Sequence, residues 1–181
     1  MAKEDCLLCS VVDNKVSAWK VYEDKDILAI LHPTPAGVGH ILLMPKEHTA
    51  IFEQVPEFVT GRLFQVANKL SSVVFEALQM EGTNIIINNG ISAGQKWPHF
   101  TINLIPRKTG DNLNFQWNVK QFNDDDMSTA ELKLKNETKR ITEPEIAEEE
   151  VAPLPVIERK VEKMPGDEED NYMIRQLRRL P

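Results

Sequence analysis

Residues 99–107 read His-Phe-Thr-Ile-Asn-Leu-Ile-Pro-Arg, and this stretch decides the fold. Strand side chains alternate, so His99, Thr101 and Asn103 share one face while Phe100, Ile102 and Leu104 share the other. The second face is apolar and suits a core. The first presents an imidazole, a hydroxyl and an amide in a row, the pattern of a polar sheet face or of a site. Just upstream, residues 84–88 (NIIIN) read as a neighbouring strand across the loop 89–98. Two more short apolar runs, residues 26–32 (DILAILH) and 40–46 (HILLMPK), are separated by Pro33, Pro35, Gly37 and Gly39.

Between the two strand pairs lies a helix pattern. From residue 57 to 80, Leu63, Val66, Ala67, Leu70, Val73, Val74, Ala77 and Leu78 recur at the spacing of one buried stripe. Pro56 suits the first turn and Gly82 a position just past the end, while Gly61 inside costs about 1 kcal/mol relative to alanine. The order strand, strand, helix, strand, strand predicts an α+β domain around an antiparallel sheet, ending near residue 120. Beyond it, Ser128-Thr-Ala-Glu131 has capping-box spacing, so residues 121–142 are expected to form a helix packed on the domain before Pro144. Residues 143–170 read as an acidic, proline- and glutamate-rich linker with too little apolar surface to offset ordering. Residues 171–181 form a short basic amphipathic tail. Its Ile174 and Leu177 beside Arg175, Arg178 and Arg179 suit docking on a protein partner.

The formal charge of −7 is uneven: residues 121–181 hold 16 acidic and 10 basic side chains, the first 120 only 12 and 11. A near-neutral body with an acidic end argues against a general nucleic-acid binder and against docking on anionic lipid. The longest apolar runs fall far short of the roughly 18–20 residues of a membrane span. The opening Met-Ala-Lys-Glu-Asp-Cys lacks the pattern of a signal peptide, so a cytoplasmic location is expected. There, two cysteines stay reduced or bind metal rather than form a structural disulfide.

Cys6 and Cys9 form a C-x2-C pair whose thiolates can reach one ion from a tight turn. A closed zinc site needs two more ligands, and His48 and His99 are candidates among the four histidines. An inert reduced pair beside surface histidines is the alternative. A thioredoxin-type redox pair fits less well, because that motif follows a strand.

Taken together, the landmarks resemble those of the histidine triad (HIT) superfamily of nucleotide-binding hydrolases and transferases. They run from Cys6-x2-Cys9 through Val21-Tyr-Glu-Asp24, Pro35-Ala-Gly-Val-Gly-His40, Pro45-Lys-Glu-His48, Asn88-Asn-Gly90 and Gly94-Gln95 to His99 and Leu104-Ile-Pro-Arg107, covering residues 5–115. The resemblance implies an antiparallel five-stranded sheet with one long helix, in a homodimer.

It also implies losses. The family motif alternates three histidines with apolar residues; here it stands as His99-Phe100-Thr101-Ile102-Asn103. Thr101 takes the place of the nucleophile that forms a nucleotidyl-imidazole intermediate, and a threonine hydroxyl needs a positioned base. Asn103 replaces the third histidine, and His32 stands where members usually carry a ribose-binding aspartate. Asn88 and Gln95 match nucleotide-binding positions. In the zinc-containing branch the ligands resemble Cys6, Cys9, His48 and His99, all present here, which makes the expected cofactor a structural zinc ion. His40 is left as a packed or hydrogen-bonded histidine. The expected function is a catalytically silent module that binds a purine nucleotide or a protein. The alternative is a nucleotide hydrolase or transferase with altered chemistry, such as water attack with His99 or His32 as base, although a zinc-bound His99 leaves acid–base duty.

Overall fold

The computed structural model describes residues 3–141, which leaves the expected linker over 143–170 and tail over 171–181 outside the described residues. The chain divides into two units, Met1–Asn118 and Val119–Pro181.

In the first unit the strands β1 (Lys20–Glu23), β2 (Ile27–Leu31), β3 (Ile41–Pro45), β4 (Gly82–Ile87) and β5 (Ile102–Arg107) form a five-stranded sheet in the order β1-β2-β3-β5-β4. Every pairing is antiparallel. The long helix α2 (Glu57–Leu78) covers one face, burying Leu63, Val66, Ala67, Leu70 and Val74 against Ile27, Ala29, Ile41, Leu43, Ile102 and Leu104. Val73, part of the expected stripe, is 52% exposed on its flank.

Two elements escaped the sequence reading. A short helix, α1 (Leu7–Val12), covers the opposite face, where Leu8 and Val11 pack with Leu28, Ile30, Leu42 and Met44. That second cover explains why β2 and β3 are unbroken apolar runs: strands buried on both faces lose the polar alternation. β1 is an edge strand with mostly exposed side chains and a bulge between Lys20 and Tyr22, so it carries no period-two signal.

Two boundaries differ from expectation. The α2 helix ends at Gln79, which adopts the left-handed conformation (φ 51°), and Gly82 instead opens β4, paired with Arg107. The strand β5 begins at Ile102 rather than His99, because the Phe100 N–H leaves the ladder to donate to the Thr49 carbonyl at 2.6 Å. Two further features hold the frame. The Asp24 carboxylate accepts from the Asp26 and Ile27 N–H groups at 2.9 and 2.8 Å, from Tyr22 at 2.7 Å and from Arg62 at 2.6 Å, tying the β1–β2 turn to α2. Gly39 (φ +81°) lies so close to α2 that a Cβ there would collide with Leu78 Cδ1.

The second unit contains α3 (Asp124–Thr138), with no buried residue. Its start is Asn123, whose side chain accepts from the Asp126 N–H at 2.7 Å, not the expected Ser128 box. Asp124, Asp125 and Asp126 complement the helix dipole in the first turn, while Ser128 Oγ donates back to the Asp125 carbonyl at 3.1 Å. No helix among the described residues is long and apolar enough to cross a membrane.

Candidate functional site

Cys6 is the residue that opens α1, and Cys9 follows one turn later on the same side. Both are buried with His99, while His48, in the loop after β3, is half-buried. Their ligand atoms all lie within 4.8 Å of one another. His99 Nδ1 is 3.6 Å from Cys6 Sγ and 3.5 Å from Cys9 Sγ, and His48 Nδ1 is 3.1 Å from Cys9 Sγ. Around a tetrahedral ion with metal–sulfur and metal–nitrogen bonds of about 2.3 and 2.0 Å, neighbouring sulfur and nitrogen atoms are about 3.5 Å apart. The donor set therefore fits such an ion.

The tautomer fits as well. His99 Nε2 donates to the Pro45 carbonyl at 2.9 Å, which leaves the Nδ1 lone pair directed at the thiols. Burial, then hydrogen bonding and charge from Cys6, push the Cys9 thiol up to about 11. A divalent cation between the sulfurs reverses that balance, since a coordinating thiol is deprotonated outright. These four side chains form a cluster that could hold a metal ion.

Beside this centre, on the same sheet face, Thr101 and Asn103 open into a cleft of about 120 Å³, walled by His32, Asn88 and the loop segment Gly94 to Trp97. The sequence-predicted positions His32, Asn88, Gln95, Thr101 and Asn103 are thus brought together. The structure also gives His40 its role. The Ala36 N–H donates to His40 Nδ1 at 3.0 Å, so Nε2 carries the proton and donates to Asn103 Oδ1 at 3.2 Å. His32 stacks on His40 with ring centroids 4.3 Å apart, and its Nδ1 accepts from the Thr34 N–H at 3.0 Å. Burial, reinforced by His40 and Lys96, lowers the His32 pKa to about 4, and burial lowers that of His40 too. Both rings are neutral near pH 7.

The Gln95 amide is fully engaged by backbone groups of its own loop and of the loop after β3. Its Nε2 donates to the Ala50 and Trp97 carbonyls at 2.6 and 2.9 Å, and its Oε1 accepts from the Gly90 N–H at 2.8 Å. Asn88 Nδ2 reaches the Gly94 carbonyl only at 3.5 Å. Sequence reasoning missed Lys96 as a site residue. Lys96 Nζ bonds Thr34 Oγ1 at 3.0 Å across the cleft mouth and sits 5.2 Å from the Trp97 ring centroid. The signal for Lys96 was its place in the loop leading into His99.

Comparison with known proteins agrees with this geometry. A family model described as HIT domain matches residues 14–110. The Arabidopsis thaliana protein described as adenylylsulfatase HINT3 is 33% identical over 111 residues, 61% of this chain and 56% of its own length, so the chain spans only about half of that relative. Among solved structures, SMU.412c from Streptococcus mutans is similar with a TM-score of 0.71 and 30% identity over 75% of this chain and 87% of its own. A zinc-bound histidine triad family protein from Mycobacterium smegmatis has a TM-score of 0.60 and 28% identity, covering 76% and 99%.

Proposed function

The chain belongs to the HIT family, and from that premise we propose that it is a catalytically silent member, a binding module for a nucleotide-type phosphate ligand built around a structural zinc site. One observation carries the proposal: no imidazole offers Thr101 a free lone pair. His32 Nδ1 and His40 Nδ1 accept from backbone N–H groups, and the Nδ1 atoms of His48 and His99 face the cysteines. The cleft lining holds no carboxylate either. A hydroxyl with no base in reach is not a nucleophile at neutral pH. His32 and His99, the bases the alternative reading needs, are therefore both committed elsewhere.

The zinc assignment is supported by the fit of Cys6, Cys9, His48 and His99 and by the zinc-bound Mycobacterium smegmatis relative. Bound zinc supplies folding free energy by joining α1 to the segments after β3 and before β5. The chain's own residues then divide the work: Thr101, Asn88 and Lys96 face the ligand, while Gln95 holds the loop that carries Lys96 and His40 orients the Asn103 amide.

The test is calorimetric titration of AMP into the full-length protein, with chromatographic assay of AMP conjugates for turnover. Saturable binding without turnover is expected. Turnover at per-second rates, lost when a cleft residue is changed, overturns the silent reading.

A further inference from the structure

Resting on the binding-module reading, a second question is what the ligand carries besides its phosphate. Residues 95–97 form a wall shared by two hollows. One is the polar cleft. The other is an open, mostly apolar hollow of about 310 Å³ bounded by Ile51, Ile91, Pro98 and Trp97. Ile91 at its rim is 92% exposed.

The wall is charged at its top. Lys96 holds its ammonium over Trp97 and against the Thr34 hydroxyl, and it takes part in none of the ion pairs among the described residues. Neither hollow is lined by a carboxylate. On the cleft side, the backbone bond to His32 Nδ1 leaves the proton on Nε2, so His32 offers a donor and no acceptor. Thr101 adds a hydroxyl. Charge complementarity thus calls for an anion at the wall, and the apolar shelf beyond calls for a flat hydrophobic group. A sugar diol finds no carboxylate to accept its hydrogen bonds.

We infer that Trp97 and Lys96 divide one binding site in two, and that its ligand is a small phosphate ester whose substituent is flat and apolar. The phosphate lies in the cleft against Lys96 and Thr101, and the substituent lies on the shelf between Trp97 and Ile91. Ribose is not read.

Calorimetry on the full-length protein with 1-naphthyl phosphate, inorganic phosphate, AMP and 2′-deoxy-AMP tests this. Naphthyl phosphate is expected to bind about tenfold more tightly than inorganic phosphate, as burial of an aromatic group on an apolar shelf requires. AMP and its 2′-deoxy form are expected to agree within about twofold, because the cleft holds no carboxylate to accept from the ribose hydroxyls. Trp97→Val and Ile91→Ser should each lower the naphthyl-to-phosphate affinity ratio by about threefold or more, whereas Lys96→Gln should weaken both ligands together. Ile91 is a surface position, so its variant keeps the test open if Trp97→Val misfolds. A wild-type ratio near one, a ratio that neither variant lowers, or a clear preference for AMP over 2′-deoxy-AMP overturns the inference. If AMP binds while naphthyl phosphate does no better than phosphate, the shelf fails and the binding module stands. If no phosphate binds, both fail.

Discussion

His99 donates its Nε2–H to the Pro45 carbonyl at 2.9 Å, and that bond alone fixes which nitrogen meets the cysteines. A backbone acceptor of this kind orients a ligand ring and raises its basicity before any ion arrives.

Elemental analysis should therefore find one zinc ion per chain. Chelation should lower the melting temperature by on the order of 10 °C, because metal binding is coupled to folding. Cys9→Ser should cost at least about 2 kcal/mol. Native protein free of zinc, with a melting temperature indifferent to chelator, contradicts the assignment.

Restoring catalysis should need more than a nucleophile. Thr101→His alone is expected to give little turnover of nucleoside phosphoramidates, since Asn103 and His32 still lack the partners that orient substrate. The triple change Thr101→His, Asn103→His, His32→Asp should give measurable turnover in the same assay. Activity fully restored by the single change would place the loss in Thr101 alone.

Acid should destabilise the fold through His32. Its folded pKa, about 4, lies below the usual 6.5. Between those values the unfolded chain binds a proton that the folded chain refuses, so stability is complete above about pH 6.5 and declines toward pH 4. The full difference corresponds to about 3 kcal/mol, which solvent screening of the cleft-lining ring reduces to on the order of 2 kcal/mol. Denaturant unfolding of wild type against His32→Asn should show a shallower pH slope in the variant, with metal-site effects common to both. Equal slopes would remove His32 from the account.

Gly39→Ala should destabilise by about 1–2 kcal/mol, chiefly through the left-handed backbone. The clash with Leu78 Cδ1 is the softer part, since Leu78 is 39% exposed and free to move. Adding Leu78→Ala should recover only that part, and chemical denaturation of the two variants separates the contributions.

Phe64, Phe75 and Leu78 fall on one side of α2, and Ser71 Oγ meets Thr83 Oγ1 at 2.7 Å to pin that flank to β4. β4 is the last strand of the sheet, with Ile85 45% exposed. An open edge beside an apolar stripe predicts a dimer by light scattering at micromolar concentration, and Phe75→Glu should yield monomer. A monomeric wild type refutes this.

The sequence carried α2 through its helical period and β5 through its alternation, while β2, β3 and β4 were legible as short apolar runs between turn residues; β1, exposed and bulged, was not, and only the resemblance implied a fifth strand. The α1 helix stayed hidden: Leu-Leu-Cys-Ser-Val-Val is too short for a helical period, and it forms because β2 and β3 need a second cover. The four-residue metal cluster was legible from C-x2-C and the family pattern. His40 is buried and hydrogen-bonded as expected, but its partners, the Ala36 backbone and Asn103, 63 residues away, were not legible. Gln95 matched a ligand position by type, yet its amide is consumed by backbone groups that only the folded loop brings near. Lys96 drew no notice because a lysine in a loop carries no spacing signature.

The centre that joins Cys6 to His99 spans 93 positions of chain, and Cys9 to His48 spans 39. Contacts so distant in sequence close long loops, at an entropic cost. The N-terminal layer is a six-residue helix packed on one sheet face, and an ion held by its cysteines would act as a latch on its opening. Amide exchange at Leu8 and Val11 should then follow global unfolding in the metal-loaded protein and a separate, cheaper local opening once the metal is removed.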